Sequence, residues 1–324
     1  MRLDFLSWSN SQRTVGRVLL ALLVSGMWAP AYADKAASAT ERLSRYLQID
    51  TFNPPGNEVA GTAFLGAILE DAGIDYEVVE SAPGRGNLWA RLPASDSDKA
   101  KPGIVLLHHI DVVSADARHW DLPPLSGEIR DGYVNGRGAV DTKGLGIMQL
   151  QAFLALAKSG KPLNRDVVYM ATADEEAGGY LGAGWLVENR PELFQNIGYV
   201  LNEGGFGVKI SDSLQMMSVE VTQKVPLWLR LTTHGQPGHG STPATDTAVT
   251  RLVQAAHNIV EAEFPVRVVK PVDTMFKSMA RFQPTDQARK DYADISSAIQ
   301  REGFLQQLLR EQPGNYAVLK NTCS

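Results

Sequence analysis

Three short apolar runs constrain this chain more than any other feature: residues 104–107 (Ile-Val-Leu-Leu), 167–171 (Val-Val-Tyr-Met-Ala) and 199–201 (Tyr-Val-Leu). The continuity of the first two, without polar alternation, is that of buried strands covered on both faces, and the third reads as the next strand. Between the first two, residues 145–157 set Ile147, Leu150, Phe153, Leu154 and Ala157 on one helical face, and Gly160 closes the pattern. A short helix around residues 185–187, stopping near Pro191, precedes the third run. Alternating strands and helices predict an α/β fold with a mainly parallel twisted sheet and helices on both faces.

Acidic or imidazole side chains follow these runs. His109-Ile110-Asp111 follows the first, Glu175-Glu176 the second and Glu203 the third, while Asp141 lies in the turn Gly-Arg-Gly-Ala-Val-Asp-Thr-Lys-Gly. Open α/β sheets place their ligand crevice at the carboxyl ends of the strands. Carboxylates and an imidazole gathered there are what a hydrolytic metal centre requires.

Each signal has a plainer alternative. His109 and Asp111 share a face of an extended segment, so the carboxylate can hold the imidazole, yet an H-x-D pair alone is common. His108 points to the opposite face and reads as a packed core residue. Of the adjacent Glu175 and Glu176, one suits a metal and the other a general base, or both open a solvated helix with Asp174. Asp141 reads as a bridging ligand or an Asx-turn residue, and Glu203 as a ligand or a loop acid. The glycine turn is not a dinucleotide loop, because Asp141 stands where the third glycine belongs.

Upstream, residues 39–47 have helical spacing, and Asn53-Pro54-Pro55-Gly56 breaks it. Asn57 is expected to cap a second helix carrying Phe64, Leu65, Ile68, Leu69 and Ala72, and residues 76–79 and 87–92 read as strands. From about Lys224 the pattern changes. Leu227, Leu229, Leu231 and Thr233 alternate with Trp228, Arg230 and Thr232, which predicts a half-buried antiparallel strand. A glycine-rich turn with His239 and a helix over residues 248–262 follow, as in a smaller α+β domain.

The N-terminus has the layout of a secretory signal. Arg13 and Arg17 precede an apolar run, and Ala31-Tyr32-Ala33 places the mature start at Asp34. The expectation is a periplasmic or secreted protein without stable membrane association. A formal charge of −5 and no basic run give no reason to expect nucleic acid. The single Cys323 cannot form an intramolecular disulfide.

Taken in order, LLHHIDVV, GRGAVDTKG, ATADEEAGG, LNEGG and GQPGHGSTP resemble the M20 family of co-catalytic zinc peptidases and aminoacylases. The resemblance runs from about residue 40 to the end. It implies two zinc ions: His109 and Glu203 on the first, Glu176 on the second, and Asp141 bridging both. It makes Glu175 the general base, Asp111 the group that orients His109, and the Asp141–Thr142 peptide bond cis. His239 would reach the site of a partner subunit in a homodimer and stabilise the tetrahedral oxyanion. Substrates would be peptides or N-acyl amino acids. The expected organisation is a signal peptide over 1–33, a catalytic domain over 34–223 and a dimerisation or lid domain over 224–324. Both domains are expected to be incomplete, because the family's last histidine ligand would lie beyond Ser324. A chain so truncated is expected to be inactive or nearly so, or to hold a single metal without catalysis.

Overall fold

A computed structural model describes residues 38–96, 101–205, 207–211, 214–242 and 244–323. The expected signal peptide lies outside these residues. The chain divides into two compact units, with described residues 38–205 in one and 207–323 in the other.

In the first unit, helices α1 (Ala39–Leu47) and α2 (Glu58–Asp71) precede a hairpin of β1 (Tyr76–Glu80) and β2 (Gly86–Leu92). Then come β3 (Lys101–His109), α3 (Lys143–Ser159), β4 (Arg165–Thr172), α4 (Ala183–Asn189) and β5 (Ile197–Leu201). The sheet order is β1-β2-β4-β3-β5. The pairs β3–β4 and β3–β5 are parallel, and the hairpin strands add two antiparallel pairings at the other side.

Period-two alternation divides the core between the faces of this sheet. Leu88, Ala90, Leu106 and Tyr169 pack with Tyr46 of α1, Leu65 and Leu69 of α2, and Ile147, Leu150 and Phe153 of α3. Trp89, Val105, Val168 and Met170 face the other way, onto Leu186 of α4 and Leu193. The two central strands are covered on both faces, which is why their sequence runs are continuously apolar. Ser38 caps α1 in a capping box with Glu41. The Asn57 side chain caps nothing; its amide donates to the Asp50 carbonyl instead (3.2 Å).

His108 is fully buried, with its ring 6.2 Å from that of Tyr46 and 5.5 Å from that of Tyr169. Gly146 lets α3 lie against this imidazole, since a Cβ there would stand 2.3 Å from His108 Cδ2. The flanking tyrosines leave the ring nowhere to go. Gly146→Ala is therefore expected to destabilise the unit by about 1–3 kcal/mol, the usual cost of overpacking, as a lower urea midpoint.

The second unit opens with a hairpin, Gly207–Ser211 paired to Leu214–Met217. The strand expected over 227–233 is absent: these residues belong to no ladder, and Leu227, Trp228 and Leu229 are all exposed. Alternation makes a strand only where a partner takes up its backbone donors and acceptors. Helix α5 (Ala248–Val260) matches the expected helix and starts with a Thr247–Thr250 capping box. Helices α6 (Lys270–Met279), α7 (Asp286–Ala293), α8 (Ile295–Ala298), α9 (Phe304–Glu311) and α10 (Pro313–Ala317) then enclose Val272, Phe276, Tyr292, Ile295, Phe304 and Leu308.

Candidate metal centre

Parallel pairing aligns the carboxyl ends of β3, β4 and β5. His109 ends β3 and is in register with Thr172, the last residue of β4; Glu175 follows three residues on. Leu201 ends β5, two residues before Glu203. Asp141 precedes Thr142, the N-cap residue of α3, and the peptide bond between them is cis, as the resemblance implies. The positive end of that helix's dipole favours a carboxylate there.

His109 is the hub, with 1% of its side chain exposed. Its Nδ1–H donates to the main-chain carbonyl of Asp111 (2.8 Å), and the Asp111 carboxylate lies 3.4 Å away. A carbonyl only accepts, so Nδ1 carries the proton, and in the neutral ring Nε2 keeps a lone pair that could bind a cation. Nε2 is 2.9 Å from Asp141 Oδ1, 3.7 Å from Glu203 Oε1 and 3.8 Å from Glu175 Oε2. Ligand atoms of His109, Asp141 and Glu203 all lie within 4.8 Å of one another.

The electrostatics agree with a site built for positive charge. Burial disfavours the His109 imidazolium, but the Asp111 hydrogen bond and the charges of Asp111, Glu203 and Glu175 outweigh it and raise the pKa to about 9. Burial and then Asp141 push the Glu176 carboxyl up; burial also raises that of Glu203, against the pull of His109. One imidazole and two converging carboxylates fit a divalent cation that takes nitrogen and oxygen donors.

Glu175 and Glu176 project from a single 3-10 turn, Glu175–Ala177, which leaves β4 through Asp174 in the left-handed region (φ 70°). Both of their amides donate to the Asp111 carboxylate (3.1 Å each). Asp111 thus holds the turn as well as lying beside His109. Burial raises its pKa, but bonds from His109 and Asn53 and the His109 charge bring it below the usual value. Glu176 is not among the three convergent ligands, although it feels the charge of Asp141. His239 belongs to the other unit, where it is exposed and its Nδ1 lies 2.7 Å from Ser241 Oγ.

Sequence patterns missed the polar groups beneath this turn. Asn53, Glu58, Arg85 and Asp174 are all buried. Asp174, for which a solvated helix start is the plainer alternative in sequence, pairs with Arg85 and accepts from the Leu181 amide (3.0 Å). Lys143, also buried, donates to the carbonyls of Tyr46 (3.2 Å) and Ile49 (2.9 Å) and ties the start of α3 to the end of α1.

The model of Peptidase family M20/M25/M40 matches residues 105–288, more than half of the chain. The chain belongs to this family. Among M20 relatives, aminoacylase-1 of Sus scrofa is 33% identical over 219 residues, 67% of this chain and 52% of its own length. The N-fatty-acyl-amino acid synthase/hydrolase PM20D1 of Xenopus tropicalis is 37% identical over 164 residues, 50% of this chain and 32% of its own. The chain thus spans about half the length of the aminoacylase relatives it matches. The dipeptidase Dug1p of Saccharomyces cerevisiae shares the fold, with a TM-score of 0.50 at 17% identity over 83% of this chain and 58% of its own.

Proposed function

We propose that this M20 chain carries the metal centre of a zinc-dependent amide hydrolase acting on peptides or N-acyl amino acids. The observation that carries the reading is the convergence of His109 Nε2, Asp141 and Glu203 within 4.8 Å, with the Glu175 carboxylate 3.8 Å from the same nitrogen. His109, Asp141 and Glu203 would hold one zinc, and Glu176 with Asp141 would serve a second. Bound zinc lowers the pKa of a water and polarises a carbonyl. Glu175 Oε2 takes the proton of the attacking water and delivers it to the leaving amine. Asp111 keeps His109 in the required tautomer and fixes the turn that presents Glu175. Relatives named for N-acyl-amino-acid chemistry support that substrate class beside peptides.

A second reading is a single-metal, non-catalytic protein, favoured by the gathering of only three ligands among the described residues. Zinc per chain, with turnover of dipeptides and N-acyl amino acids, separates the two. The comparison uses residues 34–324 and a form extended through any downstream coding sequence. Two zincs with turnover support hydrolysis; one zinc without turnover in either form sinks it.

Zinc and the Nε2 proton compete. With His109 raised to about 9, zinc binding at neutral pH is expected to release about one proton from this imidazole. Affinity then rises with pH and levels off above about 9. Calorimetry in buffers of different ionisation enthalpy measures the released proton; none released at pH 7 would contradict the assignment of His109.

Export to the periplasm or beyond is also proposed, supported by Arg13, Arg17 and Ala31-Tyr32-Ala33. N-terminal sequencing of the mature protein tests it, with Asp34 as the expected first residue.

A further inference from the structure

Asn53 lies in none of the segments that carry the resemblance. It sits on a two-residue parallel bridge, with Phe52 and Asn53 paired to Val112 and Val113. The Thr51 hydroxyl donates to the Ile110 carbonyl (2.9 Å) and the Val112 amide to the Thr51 carbonyl (3.0 Å). This stitching holds Asn53 beside Asp111.

Asn53 is 8% exposed. Its nitrogen donates to Asp111 Oδ2 (2.7 Å) and to Asp174 Oδ1 (3.3 Å). Its oxygen accepts from Arg85 Nη1 (3.2 Å), which fixes which end of the amide faces the acids. Two buried carboxylates thus share one donor group, and each controls a different part of the centre. Asp111 lies beside His109 and accepts the amides of Glu175 and Glu176. Asp174 closes the same turn from below by accepting the Leu181 amide. A carboxylate is free to rotate about its last bond unless its acceptor sites are claimed. Asn53 claims one on each.

We propose that Asn53 is a positioning residue: by tying Asp111 to Asp174 it sets the turn bearing Glu175 and Glu176 against His109. This rests on the metal-centre reading, since it concerns what the turn presents to the cation. Neighbouring chemistry accounts for the rest of the segment. Gly56 (φ 82°) admits the Arg85 guanidinium, because a Cβ there would stand 1.7 Å from Arg85 Nη1. The Arg85 Nη1 also donates to the Pro55 carbonyl (2.6 Å). The Asn-Pro-Pro-Gly segment therefore wraps the cation that orients the Asn53 amide.

The test is Asn53→Ala in the full chain, with two readouts. The first is amide hydrogen exchange in metal-free protein, comparing the 174–181 turn with α3. The second is zinc affinity, by competition with a chromophoric chelator. Exchange is expected to accelerate in the turn while α3 keeps its protection, and zinc affinity to fall about 10- to 100-fold, the usual effect of removing a partner that orients a ligand. Unchanged exchange in the turn, an equal rise in α3, or zinc affinity within about twofold of the parent would each overturn the proposal. If Asn53→Ala does not fold, Asn53→Ser decides by the same criteria: its hydroxyl can serve one carboxylate at a time, so a smaller local acceleration is expected. A parent chain that binds no zinc would sink the metal-centre reading, and the exchange comparison would still judge the positioning role.

Discussion

Glu175→Gln is expected to lower amide hydrolysis by about 10²- to 10⁴-fold, the usual contribution of a positioned general base, without changing the zinc content. The side chain is half exposed, and its Oε2 faces His109 Nε2 at 3.8 Å without being among the three convergent ligands. Glutamine keeps the shape but cannot accept the water's proton. The backbone amide at this position still donates to Asp111, so the turn is retained. The measurement is kcat for a dipeptide or N-acyl amino acid, with metal analysis, in whichever form of the protein turns over. A kcat within threefold of the parent would remove Glu175 from the role of base. Loss of zinc together with kcat would make it a ligand instead.

The largest expected loss of stability follows Arg85→Met. Arg85 is 4% exposed and its guanidinium pairs with both Asp174 and Glu58, the latter at 3.1 Å. Removing one partner from a buried ion pair leaves an uncompensated charge and costs about 3–5 kcal/mol. Arg85→Lys, which restores a point charge but not the fork, should recover part of this. Burial already raises Glu58 to about 7, against the pull of Arg85. Below that pH Glu58 holds a proton and needs Arg85 less, so the loss is expected to be smaller at pH 6 than at pH 8. Denaturant unfolding at the two pH values measures it. A loss under about 1 kcal/mol at pH 8, the size of an ordinary exposed ion pair, would show that these acids do not depend on Arg85.

Local pattern carried the sheet and the candidate site positions, and the resemblance supplied their expected roles. In β3 and β4 the continuous apolar runs mark strands covered on both faces, whereas Tyr199, Val200 and Leu201 of the edge strand β5 are exposed. His109 ends β3, and Glu175 and Glu203 follow the ends of β4 and β5. Alternation along one strand was enough to separate His108, buried between tyrosines, from His109 at the site. The same rule failed at Leu227 to Thr233, where alternation exists but the described residues supply no partner strand.

What only the tertiary structure decided is the buried polar network. Asn53 meets Asp111 across 58 residues and Asp174 across 121, and no periodicity links such positions. Hydrophobic spacing is written in neighbouring residues because every turn of a helix or step of a strand repeats the same demand for burial. A hydrogen bond between distant side chains makes its demand once, at a place fixed by the fold. The sequence by itself therefore named the candidate ligands and the candidate base; the folded chain decided which buried polar residues lie beside them.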